Sequence, residues 1–324
     1  MPLENAIEAL SLTKYYSDLC AVDHIDFKVK KREIFGFLGP NGAGKTTTMR
    51  MLTGISIPTE GTATIMGYDI QRQPVEAKEE MGIVPDVSNV YTELSAWDNL
   101  IFTGKLYDMP KAYRESRAEE LLKMFGLYER RNEKVQGFSR GMKRRICIAM
   151  ALMNKASIVF LDEPTSGLDV QSVLTIRDLV RELNQQGLTI FLTTHNIEEA
   201  SQMCDRVAII NHGRIAAIDT PEKLKRTMKS LQSVEVAFEN SPTSGLKDLM
   251  GLSNVSDVVK EGDKFRLITD DPPNVLASVW NYAQINSLKL ITINTVGPSL
   301  EDVFVKLTGI KPKPEREPMR GDKA

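Results

Sequence analysis

The sequence predicts an α/β protein in which a large domain with a mostly parallel sheet is followed by a small α+β domain. Short β-branched runs alternate with amphipathic segments through about the first 220 residues, which is typical of an α/β domain. This pattern changes between residues 221 and 232. The chain has 324 residues, so we expect two hydrophobic cores rather than one.

The large domain is predicted to span residues 1–225. Apolar runs at 34–38, 157–161 and 188–192 read as buried strands, and the segments at 45–52 and 170–183 read as amphipathic helices. The region 87–153 differs because it reads almost wholly helical. Its three segments, at 97–108, 113–126 and 140–153, have apolar residues spaced near 3.6, which indicates a helical subdomain inserted into the domain.

The small domain is predicted at residues 232–310. Its pattern runs strand, helix, strand, strand, helix, strand, which favours a ferredoxin-like β-α-β-β-α-β unit. A last helix follows, from Pro298 to Gly309. The tail at 311–324 has three prolines, many charges and no apolar period, so we expect it to be disordered.

Composition excludes several classes of protein. Apolar residues make up 42% and charged residues 26%, close to soluble averages, which excludes fibrous and disulfide-scaffold proteins. The net charge of -2 gives no overall attraction to nucleic acid, and no nucleic-acid partner is expected. The longest apolar stretch, residues 146–153, is too short to span a bilayer, and the acidic N-terminus is unlike a signal peptide. A cytoplasmic protein with reduced cysteines is therefore expected.

A glycine-rich segment follows the apolar run at 34–38 and leads into a helical one. It fits the pattern G-x-x-x-x-G-K-[ST], in which glycines let the backbone approach phosphates and a helix N-terminus adds a positive dipole end. Lys45 is predicted to reach the β- and γ-phosphates, and the Thr46 hydroxyl to ligate magnesium. The predicted nucleotide-binding residues are Gly39, Pro40, Asn41, Gly42, Ala43, Gly44, Lys45, Thr46 and Thr47.

Two acids end the apolar run at 157–161. A buried strand at this place would deliver Asp162 and Glu163 to the sheet edge beside the phosphate loop. Asp162 suits a magnesium contact, and Glu163 is placed to activate an attacking water as general base. The alternative is a buried strand capped by solvated acids.

His195 follows another apolar run and precedes Asn196, a predicted helix N-cap with Glu198 and Glu199 in the first turn. A single histidine at a strand end is more often structural than catalytic. Beside the two preceding motifs, however, His195 is predicted to contact the γ-phosphate.

Residues 138–145, FSRGMKRR, resemble the signature sequence LSGGQ of ABC ATPases. The resemblance covers about residues 5–225 and implies a phosphate-loop NTPase of the ABC cassette fold that binds ATP and Mg²⁺. It implies that Ser139 and Gly141 cap the γ-phosphate of ATP held by a second subunit, so that the complete site exists only in a dimer. That second subunit is a copy of this chain or a related one.

The resemblance extends to further residues. Residues 166–169 match the D-loop, whose Asp169 links the two sites, and Tyr16 matches the aromatic residue that stacks on adenine, although Tyr15 is adjacent. We place Tyr16 ahead of the first pair of strands. We interpret the basic run at Lys143, Arg144 and Arg145 as a solvated helix face rather than as a functional site.

Two positions depart from the family pattern. Arg140 stands where glycine is common, and we expect it to be tolerated if it points outward. Asp86 stands where the family has the Q-loop glutamine, which ligates magnesium and senses the membrane partner. Aspartate can still ligate the metal, so Asp86 joins Thr46 and Asp162 as a predicted metal ligand.

The C-terminal unit and the motifs at 35–41 and 138–145 also resemble the daunorubicin-resistance-type exporter ATPases. This implies a subunit bound to the inner face of the membrane that drives export through a separate multi-span permease of the ABC-2 type. The alternative is a soluble ABC ATPase that acts on the ribosome or DNA. The short interval between phosphate loop and signature has no coiled-coil heptads, which favours transport. A nucleotide switch without turnover is disfavoured by Glu163.

Overall fold

The computed structural model describes residues 4–227, 232–239 and 245–309. The chain divides into two compact units, Met1–Thr220 and Pro221–Ala324. The sequence suggested a boundary after residue 225, but the short helix at Pro221–Arg226 packs with the last helix of the second unit. The predicted disordered tail at 311–324 lies outside the described residues.

The first unit contains two sheets with helices around them. Its strands are β1 Asn5–Tyr16, β2 Leu19–Lys30, β3 Ile34–Leu38, β4 Glu60–Ile65, β5 Tyr68–Asp69, β6 Met81–Val84, β7 Ile158–Asp162, β8 Thr189–Thr194, β9 Arg206–Asn211 and β10 Arg214–Asp219. Its helices are α1 Lys45–Leu52, α2 Pro74–Glu79, α3 Ala96–Leu106, α4 Lys111–Met124, α5 Arg140–Ala151, α6 Val170–Gln185 and α7 Ile197–Met203.

The central sheet has six strands in the order β10-β9-β3-β8-β7-β6, and all neighbours except β10 and β9 are parallel. This confirms the predicted mostly parallel sheet. Strands β3, β7 and β8 are buried along their whole length, as expected for strands covered on both faces. Because these three strands are parallel neighbours, their carboxyl ends lie side by side at one edge of the sheet.

A second, antiparallel sheet in the order β2-β1-β4-β5 was not predicted. Phe27 of β2 packs against Phe35 and Phe37 of β3 and Phe191 of β8, with ring centroids 5.6–6.2 Å apart. This aromatic cluster joins the two sheets in one core. The placement of Tyr16 ahead of the first strand pair is wrong, because Tyr16 is the last residue of β1.

The region 87–153 contains α3, α4 and α5, together with short 3-10 turns at Tyr128–Arg130 and Val135–Gly137. Helix α3 begins only at Ala96, where Ser95 caps it by accepting a hydrogen bond from the Asp98 N–H. Residues 87–95 are not helical, so the almost wholly helical interpretation was too broad at this end.

The second unit contains α8 Pro221–Arg226, β11 Gln232–Phe238, α9 Gly245–Met250, β12 Asp257–Glu261, β13 Lys264–Thr269, α10 Pro272–Ile285, β14 Leu290–Val296 and α11 Leu300–Thr308. Between α8 and α11, these elements follow the predicted β-α-β-β-α-β order. The four strands form an antiparallel sheet in the order β12-β13-β11-β14. Alternate residues of β11 and β13 pack against α10 in a separate small core.

Among the described residues, no helix is both long enough and apolar enough to cross a membrane.

Candidate functional site

The glycine-rich loop lies at the carboxyl end of β3, and all nine predicted residues fall between that strand and the first turn of α1. Gly44 has φ 107°, and a Cβ on it would lie 2.7 Å from the Ala21 carbonyl oxygen. Only glycine fits this conformation and this close approach. Gly213 donates its N–H to the Ala43 carbonyl at 3.0 Å, so the turn between β9 and β10 braces the loop.

Lys45 is buried inside the loop. Its Nζ donates to the carbonyl oxygens of Gly39 at 2.8 Å and Pro40 at 3.2 Å, and it lies 3.4 Å from Glu163 Oε1. The loop therefore holds a positive charge among inward-facing backbone groups at the N-terminus of α1, which is an arrangement suited to phosphate.

Two of the three residues predicted to bind magnesium, Thr46 and Asp162, meet across the sheet edge. Thr46 Oγ1 lies 3.4 and 3.3 Å from the two carboxylate oxygens of Asp162. Thr193, at the end of β8, donates a short hydrogen bond to Asp162 and fixes its carboxylate. Among the described residues there is no group of three or more acids, histidines or cysteines able to hold a metal. Mg²⁺ usually takes one or two protein carboxylates plus phosphates and water, so one carboxylate and one hydroxyl fit it.

Glu163 joins Lys45 to His195. Its Oε2 lies 2.8 Å from His195 Nδ1, while its Oε1 faces Lys45. Burial raises the pKa of Glu163, but the hydrogen bond from His195 and the charges of Lys45 and His195 outweigh it, so the pKa lies below its usual value. The same hydrogen bond raises the pKa of His195, against the opposing effect of burial. Both shifts favour an ionised glutamate.

His195 is placed as the sequence predicts. It lies between β8 and α7, and Asn196 caps α7 by accepting a hydrogen bond from the Glu199 N–H. Its side chain is half exposed.

Gly141 and Asp169 both contact Ser172 of α6, and Ser139 lies two residues before Gly141 at the start of α5. Ser139 caps α5, and Asp169 caps α6 by accepting hydrogen bonds from the N–H and hydroxyl of Ser172. A Cβ on Gly141 would lie 2.3 Å from Ser172 Oγ, so the signature and the D-loop are packed closely together. The exposed Arg140 approaches the Gly167 carbonyl at 3.4 Å.

Asp86 faces the group formed by Thr46, Asp162, Glu163 and His195, but its side chain is not part of that group. Its side chain is 55% exposed, and its Oδ1 lies 3.9 Å from Arg144. Burial raises the pKa of Asp86, Arg144 lowers it, and the charges of Asp162 and Glu163 raise it again, so that the pKa lies above its usual value.

The interpretation of residues 143–145 as a solvated helix face is wrong for Arg144. This side chain is buried and donates to the carbonyl oxygens of Pro85, Asp86 and Glu163. The neighbouring Arg145 donates to the Phe125 carbonyl and is partly buried.

Tyr15 and Tyr16 are both exposed at the end of β1, by 40% and 43%. The Nζ of Lys14 lies 5.3 Å from the centre of the Tyr16 ring. A hydrogen bond with Cys20 raises the pKa of Tyr15. The choice between Tyr15 and Tyr16 as the stacking residue stays a prediction.

Sequence reasoning missed three residues that hold the site together: Thr193, Ser172 and Arg144. Ser172 stands three residues after Asp169, which caps α6, and this N-cap spacing could have identified it. Arg144 shares the helical spacing of the buried residues Gly141, Ile148 and Ala151, and this periodicity was a usable signal.

The family model for ABC transporters matches residues 22–166. The chain is 37% identical to the linearmycin resistance ATP-binding protein of Bacillus subtilis, over 94% of this chain and 98% of that protein. It is 33% identical to the daunorubicin/doxorubicin resistance ATP-binding protein of Streptomyces peucetius, over 94% and 92%. A Nod factor export ATP-binding protein of Ralstonia nicotianae is 34% identical over 92% of each chain.

Solved structures show the same fold. The cbiO1 subunit of an ABC transporter complex from Clostridium perfringens matches 70% of this chain and 95% of its own, with 26% identity and a TM-score of 0.64. A dimeric ATP-binding cassette in a post-hydrolysis state, bound to ADP and phosphate, matches 66% of this chain and 98% of its own, with 26% identity and a TM-score of 0.60. The chain therefore belongs to the ABC transporter family, as an ATP-binding subunit of the exporter subgroup that includes the daunorubicin-resistance type.

Proposed function

We propose that this chain binds Mg-ATP in the loop at 39–47 and hydrolyses it with Glu163 as general base. The observation that carries the proposal is the position of Glu163, held between Lys45 at 3.4 Å and His195 at 2.8 Å. The contacts with Lys45 and His195 favour the ionised carboxylate, which is the form that can accept a proton from water. Thr46 and Asp162 would hold Mg²⁺, which neutralises charge on the phosphates, and Asp86 is a further candidate ligand.

The active form is proposed to be a dimer closed around ATP. Ser139 and Arg140 are exposed at the N-terminus of α5, where unpaired N–H groups and the helix dipole favour an anion. Gly141 and Asp169 contact Ser172, and Ser139 caps the helix that carries Gly141; these contacts are separate from those that join Lys45, Glu163 and His195. This separation supports a site completed by the signature cluster of a second subunit, with Tyr16 stacking on adenine.

A separate membrane permease is proposed as the second partner, with this chain at the cytoplasmic face of the membrane. Beyond Asp86, several large apolar side chains are exposed in the loop after β6 and on α3: Val87, Tyr91, Phe102, Leu106 and Tyr107. Tyr91 and Phe102 pack edge to face with centroids 5.0 Å apart. An exposed apolar group of this kind supports a protein interface.

The cargo is proposed to be a drug, lipid or polysaccharide, because the relatives are named for drug resistance and Nod factor export. These relatives match over more than nine tenths of this chain and are named for drug resistance or export, so a soluble ATPase acting on ribosomes or DNA is not favoured.

Replacing Glu163 with Gln tests the general base. Glutamine keeps the size of the side chain but cannot accept a proton, so we expect hydrolysis to fall by at least about 100-fold. Binding of a fluorescent ATP analogue should stay within about twofold, because the loop is untouched. Retention of more than a tenth of the wild-type rate would contradict the assignment.

A further inference from the structure

Arg144 is buried where an arginine is seldom found. It is 3% exposed, in the middle of the apolar face of α5. Arginine is almost never fully buried unless it is paired, because taking the charge out of water is costly. Its nearest acid is Asp86, whose Oδ1 is 3.9 Å away and largely exposed, so an ion pair does not account for its burial.

Three backbone carbonyls account for it instead. Arg144 Nη1 donates to the Pro85 oxygen at 2.6 Å, and Nη2 donates to the oxygens of Asp86 at 3.1 Å and Glu163 at 2.9 Å. The planar guanidinium can serve acceptors in two segments at once, which a single ammonium group does less well. One side chain therefore joins the loop after β6 to the residue after β7.

The backbone at Glu163 is strained. Its φ is +47°, in the left-handed region that is unfavourable for a residue with a side chain. Its N–H donates to the carbonyl and the hydroxyl of Thr193, at 3.1 and 3.2 Å. Its carbonyl accepts from Arg144 at 2.9 Å and from the Ser166 N–H at 3.2 Å. These hydrogen bonds hold the strained residue from both sides, and Arg144 is the side chain that ties its carbonyl to the loop after β6.

We propose that Arg144 is a positioning residue that ties the loop at Pro85 and Asp86 to Glu163, so that movement of this loop moves the catalytic carboxylate. The proposal rests on Glu163 acting as the general base. Arg144 holds the loop through backbone carbonyls. The coupling between this loop and Glu163 therefore does not depend on the side chain at position 86.

The test compares R144Q and R144K with R117Q in the full chain. Arg117 is the control: it also donates to a backbone carbonyl, but both of its hydrogen bonds go to Leu152 and it lies on α4. We expect R144Q to lower kcat about 10- to 100-fold with KM for ATP within about twofold, because a misplaced base slows the chemical step without touching the phosphate loop. R144K should recover part of kcat, and R117Q should leave kcat unchanged.

Hydrogen exchange supplies a readout that does not depend on activity. In R144Q or, if that variant does not fold, in R144K, the amides of residues 86–88 and of Glu163 should exchange faster, and R117Q should leave them unchanged. Faster exchange within α5 alone, or an unchanged kcat in R144Q, would overturn the proposal. If E163Q stops hydrolysis while R144Q does not change kcat, Glu163 remains the general base and the proposed role of Arg144 is rejected. If E163Q hydrolyses ATP at the wild-type rate, Glu163 is not the general base. The exchange data then still decide whether Arg144 links the loop after β6 to Glu163.

Discussion

At the scale of single residues, the site depends on a few charges held close together. Lys45, Glu163 and His195 form a chain of alternating charge when the histidine is protonated, and Thr193 holds Asp162 beside it. The carboxylate pKa is lowered and the histidine pKa is raised by the same contact. The site should therefore be sensitive to pH through this pair.

We expect the pair to stabilise the fold within a defined pH window. The raised His195 pKa contributes stability that is complete below about pH 6.5, the unfolded value, and is lost as pH rises through the folded value. The lowered Glu163 pKa contributes stability that is present above about pH 4.3 and is lost as pH falls through the folded value. The contribution of the His195–Glu163 pair to the free energy of unfolding should therefore be largest between about pH 4.3 and about pH 6.5.

Urea unfolding of the wild type and H195Q at several pH values measures this contribution. Because His195 is half exposed, the free energy of unfolding of the wild type should exceed that of H195Q by less than about 1 kcal/mol at pH 5.5. This difference should disappear by about pH 9. A difference that grows above pH 8 would contradict the assigned ion pair.

At the scale of elements, α5 has two roles at different turns. Its N-terminus presents the signature residues, and its buried face carries Arg144 to the loop after β6. The contact with α6 through Gly141 and Ser172 fixes how closely the signature approaches the D-loop.

Replacing Gly141 with Ala tests that contact. The new Cβ would lie 2.3 Å from Ser172 Oγ and 2.7 Å from its Cβ, so we expect a loss of about 1–3 kcal/mol in the free energy of unfolding. The control is G137A, because nothing lies within 4 Å of a Cβ at that position. In the S172G background, G141A should lower the free energy of unfolding by less than it does in the wild type. Equal losses in the two backgrounds would show that α5 and α6 do not meet at this point.

The sequence predicted most elements near this site because their signals are local. The apolar runs of β3, β7 and β8, the glycines before α1 and the caps of α5, α6 and α7 are all legible within a few residues. The antiparallel sheet of β2, β1, β4 and β5 was missed because its strands are defined by pairing partners up to about sixty residues apart in the chain.

At the scale of the whole molecule, the proposed dimer predicts complementation between two inactive variants. K45A removes the phosphate-binding charge of its own site, and S139F blocks the signature that serves the partner's site. A mixed dimer then keeps one complete site, so an equal mixture should recover about a quarter of the wild-type rate if subunits exchange freely and sites act independently. Each variant alone should be inactive, and a mixture that recovers nothing would exclude a shared site.

What the sequence by itself determined is the chemistry of the site: the phosphate loop, the paired acids and His195 each depend on neighbours within a short stretch of chain. Tertiary structure alone decided how these parts are held. Arg144 is 59 residues from Pro85 and 19 from Glu163 in the chain, and Thr193 is 31 from Asp162. Such contacts depend on how helices and strands pack. Helical spacing places Arg144 on the buried face of α5, but it does not determine which carbonyl oxygens the guanidinium reaches.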